Sequence, residues 1–158
     1  MELTGYSDAS WAGDIDDRRS VTSYAVYLCG NLVSWCSKKQ RVVARSSTES
    51  EYRALAHISA EFTWLKSLLH ELRIELDHKP IIWCDNLGAG ALASNPIFHG
   101  RTKHIEIDVH FIREKVANNE LEIRYVLTKD QVVDILTKPL TVERFAYLKN
   151  KFNVLSTS

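Results

Sequence analysis

The chain has 158 residues, and 20 Lys and Arg balance 20 Asp and Glu, so it carries no net formal charge. A hydrophobic share of 45% and a charged share of 25% are ordinary globular values, which excludes wholesale disorder and fibrous repeats. No apolar run approaches the roughly 18 residues of a membrane-spanning helix, and the N-terminus lacks a secretion signal, so a soluble intracellular domain without a membrane partner is expected.

The first third reads as strands. Residues 3–10 alternate, and 24–28 and 32–36 are rich in β-branched and aromatic residues, with Cys29-Gly30-Asn31 as the turn between them. The polar loop 13–19 is expected in solvent. Leu55, Ile58, Phe62, Leu65, Leu69 and Leu72 then step by three and four, predicting a helix over about 48–73 with one apolar face. After Pro80 the run Ile81-Ile82-Trp83-Cys84 predicts a short buried strand that ends in Asp85-Asn86. A short helix, weakened by Gly88 and Gly90, is expected to run to about Ser94 and stop at Asn95-Pro96. Ile105, Val109, Ile112 and Val116 mark another helix, 120–126 a fifth strand, 131–138 a short helix closed by Pro139, and 142–152 a terminal helix. Hairpin-linked strands followed by α/β crossovers predict an α/β fold, a mixed five-stranded sheet with helices on both faces.

Cys29, Cys36 and Cys84 are odd in number and form no disulfide framework, and no CxxC or paired Cys/His spacing suits zinc. Two of them, Cys36 and Cys84, sit in segments that read as strands, so a buried free thiol is the expectation. With no net charge, any affinity for nucleic acid must come from a local patch. Lys38, Lys39 and Arg41 follow the third strand, and Arg101, Lys103 and His104 precede a helix whose N-terminus favours phosphate. Each cluster reads either as solvated surface or as a phosphate contact, and Arg101, Lys103, Lys38 and Lys39 are the candidates for nucleic-acid binding. His104 and His110 are six residues apart, off one helical face, and are not proposed as metal ligands.

Four carboxylates stand apart from the exposed majority. Asp8 interrupts a strand, where Asp is disfavoured. Asp85 ends a buried run, either as a helix N-cap or at the strand end where α/β sheets bind ligands. Extending the helix stripe back four residues from Leu55 lands on Glu51, which then faces the sheet, whereas Glu49 lies about 200° around the axis. A capping box between Thr48 and Glu51 is the competing reading. Asp134 sits in the short late helix, where Thr128 with Gln131, or Asp130, can supply the cap, and surface exposure is its alternative. Should all four converge, they would raise one another's pKa, a cost that hard divalent cations remove. Two such ions about 3.5–4 Å apart would clamp a phosphodiester displacement.

In Gly5-Tyr-Ser-Asp-Ala-Ser-Trp-Ala-Gly-Asp14, Val33-Ser-Trp-Cys-Ser-Lys-Lys-Gln40, Ser46-Ser-Thr-Glu-Ser-Glu-Tyr-Arg-Ala-Leu55 and Cys84-Asp-Asn86 the chain resembles the ribonuclease H domain of plant copia-type (Pseudoviridae-like) long-terminal-repeat retrotransposons. The likeness continues through Arg101-Thr-Lys-His-Ile-Glu-Ile-Asp108, His110-Phe-Ile-Arg-Glu114 and Asp134-Ile-Leu-Thr-Lys-Pro-Leu140, and so covers Leu3 to about Leu155. It implies a single ribonuclease H domain over 1–158, with a core of about 3–140 and a C-terminal helix of about 142–153. It further implies cleavage of the RNA strand of RNA/DNA hybrids to 5′-phosphate and 3′-hydroxyl ends, with two Mg²⁺ or Mn²⁺ ions on Asp8, Glu51, Asp85 and Asp134. The implied setting is cytoplasmic, in the element's virus-like particle, with the domain tethered to or associated with a reverse transcriptase. By the same resemblance Asp8 would bridge both ions, Asp134 would help hold the water-activating ion, and Glu51 and Asp85 the ion facing the leaving oxygen. Two departures stand out. The loop 127–130 has no His where cellular enzymes carry one, leaving Lys129 or solvent to assist product departure, and Val133 replaces a small residue before Asp134, with Asp108 the substitute ligand. A catalytically inactive interaction module and a DNA-cutting nuclease of the same superfold are the alternatives.

Overall fold

The structure, a computed structural model, describes residues 1–89 and 105–153. β1 (Leu3–Ser10), β2 (Val21–Leu28) and β3 (Asn31–Lys39) form the expected antiparallel run. β2 begins three residues earlier and β3 ends three residues later than the apolar runs suggest, because pairing continues to Val21↔Lys39. Ladder hydrogen bonds use only backbone groups, so Thr22, Ser23, Ser37 and Lys38 extend it without apolar side chains. At the hairpin, Cys29 and Gly30 both take positive φ, 49° and 78°, as a tight turn matched to strand twist requires. Cys29, in that turn, is exposed; of the two strand thiols Cys84 is buried and Cys36 half-buried.

β1 also pairs in parallel with β4 (Ile81–Cys84), which pairs in parallel with β5 (Glu122–Tyr125), giving the order β3-β2-β1-β4-β5. β5 is shorter than the sequence suggests because its partner ends at Cys84, opposite Tyr125. On one face lies α1 (Ser47–Glu71), whose Leu55, Ile58 and Phe62 pack with Leu3, Val26 and Ile82, and with Val109 and Ile112 of α2 (Glu106–Ala117). Gly5 makes that approach possible, since a Cβ there would stand 2.6 Å from Ile58 Cδ1. Leu72 falls past the last helical turn and is exposed rather than part of the stripe.

The opposite face carries Ala25, Tyr27, Val132, Val133 and Phe152, covered by α3 (Val142–Lys151) and the segment before it. Helices therefore cover both faces, as predicted. The helix expected over 131–138 is instead a shorter 3-10 turn, Val132–Leu136, and a separate 3-10 turn, Thr128–Asp130, precedes it. Gln131 separates them at φ −70° and ψ 101°. Its buried side chain donates to the Ser7 carbonyl at 2.9 Å, which holds this residue extended and prevents it from capping onto Thr128. The helix expected to reach Ser94 is present at 87–89, and its remainder lies outside the described residues.

Candidate active site

In the parallel ladder Ser7 lies opposite Cys84, so the next residues, Asp8 and Asp85, emerge side by side at the C-terminal edge of the central strands. The second 3-10 turn brings Asp134 to the same place. One carboxylate oxygen from each of the three lies within 4.8 Å of the others. Asp8 and Asp134 are buried and Asp85 is half-buried. The helix-cap alternative for Asp85 is taken by its neighbour, since Asn86 Oδ1 accepts from the Ala89 amide at 2.9 Å. Gln131 Nε2 reaches Asp85 Oδ1 at 3.3 Å while holding the Ser7 carbonyl, so one buried amide links the strands to the segment bearing Asp134.

Glu51 meets this cluster from α1. The helix is capped two residues earlier than Thr48: Ser46 accepts from the Glu49 amide, and the Glu49 carboxylate reaches back to the Arg45 amide at 3.0 Å. Glu49 also pairs with Arg53 at 2.8 Å. It is thereby buried in its own network, not exposed, while Glu51 is released from capping and turned inward. Glu51 is 6% exposed, and its Oε2 has no hydrogen-bond partner among the described residues. Burial, reinforced by the negative charge of Asp8, pushes its pKa up to about 9, with the Ala9 amide pulling the other way. Glu51 is not one of the three groups that meet within 4.8 Å, but it lies near enough to Asp8 and Asp85 to feel their charge.

Cations and donors face the aspartates from the segment after Asp134. Lys138 Nζ donates to Asp134 Oδ1 at 2.6 Å and lies 3.5 Å from Asp8 Oδ2, while the Thr137 hydroxyl donates to Asp8 Oδ2 at 3.0 Å. Arg144 of α3 stands 3.5 Å from Asp134 Oδ2 and donates to the carbonyls of Thr128 and Lys129. Burial raises the Asp8 pKa, Lys138 opposes that rise, and Asp85 and Asp134 add to it. Burial works against the Lys138 charge, yet its bond to Asp134 and the field of Asp8 raise its pKa overall. Lys138, Thr137, Gln131 and Arg144 were not legible as site residues, although Lys138 sits four residues after Asp134, a spacing that brings side chains together on a helix.

Other expected residues lie elsewhere. Asp108 is half-buried near Arg53 and His57, in a groove of about 710 Å³ that also includes Lys38, Arg41 and Thr22, and is not part of the aspartate cluster. Lys38 and Lys39 both line that groove, but Lys39 is engaged by Asp14 and Asp17. Arg101, Lys103 and His104 lie outside the described residues. Chemically the cluster suits a metal ion. It offers hard oxygen donors, a buried Glu51 oxygen lacking a partner among the described residues, and, at Asp8 and Glu51, a proton affinity that stays raised despite the cation Lys138 facing the cluster.

A mixed sheet in the order β3-β2-β1-β4-β5, with carboxylates gathered at the ends of β1 and β4, is a ribonuclease H fold. The solved N-terminal ribonuclease H domain from Mycobacterium tuberculosis superposes with a TM-score of 0.61, covering 94% of this chain and 96% of that one at 8% identity. A ribonuclease H1 isolated from compost, solved in complex with an RNA/DNA hybrid, gives 0.54 over 82% of this chain and 88% of that one at 12% identity. The prototype foamy virus protease–reverse transcriptase gives 0.55, covering 98% of this chain and 21% of that one at 12% identity. In sequence the chain is 51% identical over 155 residues to the retrovirus-related Pol polyprotein from transposon RE2 of Arabidopsis thaliana, covering 98% of this chain and 11% of the relative. It is 40% identical over 147 residues to that from transposon TNT 1-94 of Nicotiana tabacum, covering 93% of this chain and 11% of the relative. The resemblance to plant copia-type Pol proteins is thus borne out, and the chain spans about a tenth of the length of these curated relatives. No family model matches the chain.

Proposed function

We propose that the chain is a ribonuclease H that hydrolyses the RNA strand of RNA/DNA hybrids with two divalent cations, Mg²⁺ or Mn²⁺. Residues 1–158 act as one such domain within a larger Pol protein. The observation carrying this reading is the meeting of Asp8, Asp85 and Asp134 within 4.8 Å, with Glu51 buried beside them under the field of Asp8. Asp8, near the C-terminal end of the central strand β1, would be shared by both ions; Asp134 would hold one, and Glu51 and Asp85 the other. Bound there, the ions would activate the attacking water and stabilise the leaving oxygen. The chain's own residues supply the frame. Gln131 holds the Ser7 backbone and Asp85 together, and Arg144 fixes Asp134 by gripping the turn before it. Lys38 and Arg41 line the groove beside α1, where Arg53 is already paired with Glu49, and give a neutral chain a local cationic surface for the backbone of a hybrid.

The likeness to the compost enzyme supports a hybrid substrate, and the likenesses to the foamy virus protein and to transposon Pol proteins support tethering to a reverse transcriptase. Tethering supplies effective concentration to a weakly binding domain. No helix among the described residues is long and apolar enough to cross a membrane. The likeness to transposon Pol proteins supports work in the cytoplasm within the element's particle. The test is cleavage of labelled hybrid, duplex DNA and duplex RNA, each with Mg²⁺ or Mn²⁺. Cutting of the hybrid alone, with 5′-phosphate products, is expected. Cutting of duplex DNA would indicate a DNA-directed nuclease, and no cutting at all an inactive interaction module.

A further inference from the structure

We infer that Lys138 is a built-in counter-cation that occupies the space between Asp8 and Asp134 when no metal is bound, and that a divalent ion must expel it. Its ammonium stands 2.6 Å from Asp134 Oδ1 and 3.5 Å from Asp8 Oδ2, at the mouth of the cluster, with the side chain still 38% exposed. An ion coordinated by those oxygens would sit about 2.0–2.1 Å from them, inside the space this ammonium fills. The ammonium must move aside for an ion to take up those oxygens, because both need the same space and the lysine's positive charge opposes the incoming cation. The neighbouring cation cannot play this part. Arg144 is held in place by the carbonyls of Thr128 and Lys129 and approaches Asp134 only at 3.5 Å. Lys138 instead carries its charge on a flexible four-carbon stem with a route to solvent.

Two consequences follow for the chain. Without metal, Lys138 offsets the repulsion among three carboxylates that meet within 4.8 Å and keeps the turn bearing Asp134 in place. With metal, the same bond is a competitor, so Lys138 weakens metal affinity and links ion entry to a swing of its own side chain. Lys138 is therefore a positioning residue with respect to the cations.

This inference rests on the metal-binding reading above, and its test separates the two. Metal-free wild type, Lys138→Met and Lys138→Arg are titrated with Mg²⁺ by calorimetry and melted with and without Mg²⁺. Lys138→Met is expected to melt several degrees lower without metal, to bind Mg²⁺ about tenfold more tightly, and to gain more from Mg²⁺ than wild type. Lys138→Arg, which keeps the charge, should stay near wild type in both respects. If Lys138→Met fails to fold without metal, Lys138→Gln, which keeps a donor and drops the charge, takes its place. Equal or weaker Mg²⁺ binding by the uncharged variants overturns the counter-cation role while leaving the metal site intact. Absence of Mg²⁺ binding in wild type and variants alike overturns both.

Discussion

Replacing Glu51 by Gln probes the buried carboxylate without changing its shape. Glu51 is 6% exposed, one of its oxygens lacks a partner, and its pKa is raised to about 9. In the metal-free protein it keeps a proton that the unfolded chain releases near the ordinary Glu value. Between those two points the folded state binds more protons than the unfolded state, so stability falls as pH rises. One retained proton gives a slope of at most ~1.4 kcal/mol per pH unit, hence no more than about 2.7 kcal/mol between pH 6 and 8, less whatever proton is shared with Asp8. Gln mimics the protonated acid, so Glu51→Gln should lose this slope and match or exceed wild type at pH 8 in EDTA. Glu49→Gln is the control. Its carboxylate caps the Arg45 amide and pairs with Arg53, so it should lose about 1 kcal/mol and keep the wild-type slope over this range. Urea unfolding in EDTA at pH 6, 7 and 8 measures all three proteins. A wild type that gains stability from pH 6 to 8, or a Glu51→Gln slope equal to that of wild type, refutes the reasoning.

Other expectations follow from particular contacts. Gly5→Ala would press a methyl group against Ile58 and Phe62 and should cost ~1–3 kcal/mol, read as a lower urea midpoint with an unchanged m-value. Arg144→Ala releases the Thr128 and Lys129 carbonyls and the brace on Asp134. It should cost about 1–3 kcal/mol and slow hybrid cleavage more than it weakens hybrid binding, separated by single-turnover and binding measurements. Lys38→Ala and Arg41→Ala should each weaken hybrid binding and lower its salt dependence by about one counterion, whereas Lys39→Ala should change binding little because Asp14 and Asp17 already neutralise it.

Much of this architecture was legible because its signals are local and periodic. The stripe from Leu55 to Leu69 gave α1 its direction, the alternation in 3–10 gave β1, and stepping back from Leu55 turned Glu51 inward. What escaped depended on distant partners. Gln131 looks like a helix-starting residue until the Ser7 carbonyl, far away in sequence, claims its amide, leaves it extended and shortens the expected helix to the 3-10 turn Val132–Leu136. Glu49 resembles an exposed helix residue until Ser46, not Thr48, proves to be the cap. Lys39 reads as a phosphate contact until the loop carrying Asp14 and Asp17 folds over it. Lys138 was hidden for another reason: a lysine four residues after an aspartate is ordinary surface pattern unless the aspartate is buried, and Asp134 is 3% exposed.

Diffraction from crystals grown with Mn²⁺ and a hybrid, collected at a wavelength where manganese scatters anomalously, tests the central claim most directly. Two anomalous peaks about 3.5–4 Å apart are expected, both in contact with Asp8, one also with Asp134 and the other with Glu51 and Asp85. Peaks bound away from these carboxylates, or a hybrid seated on the protein with none between them, would contradict it.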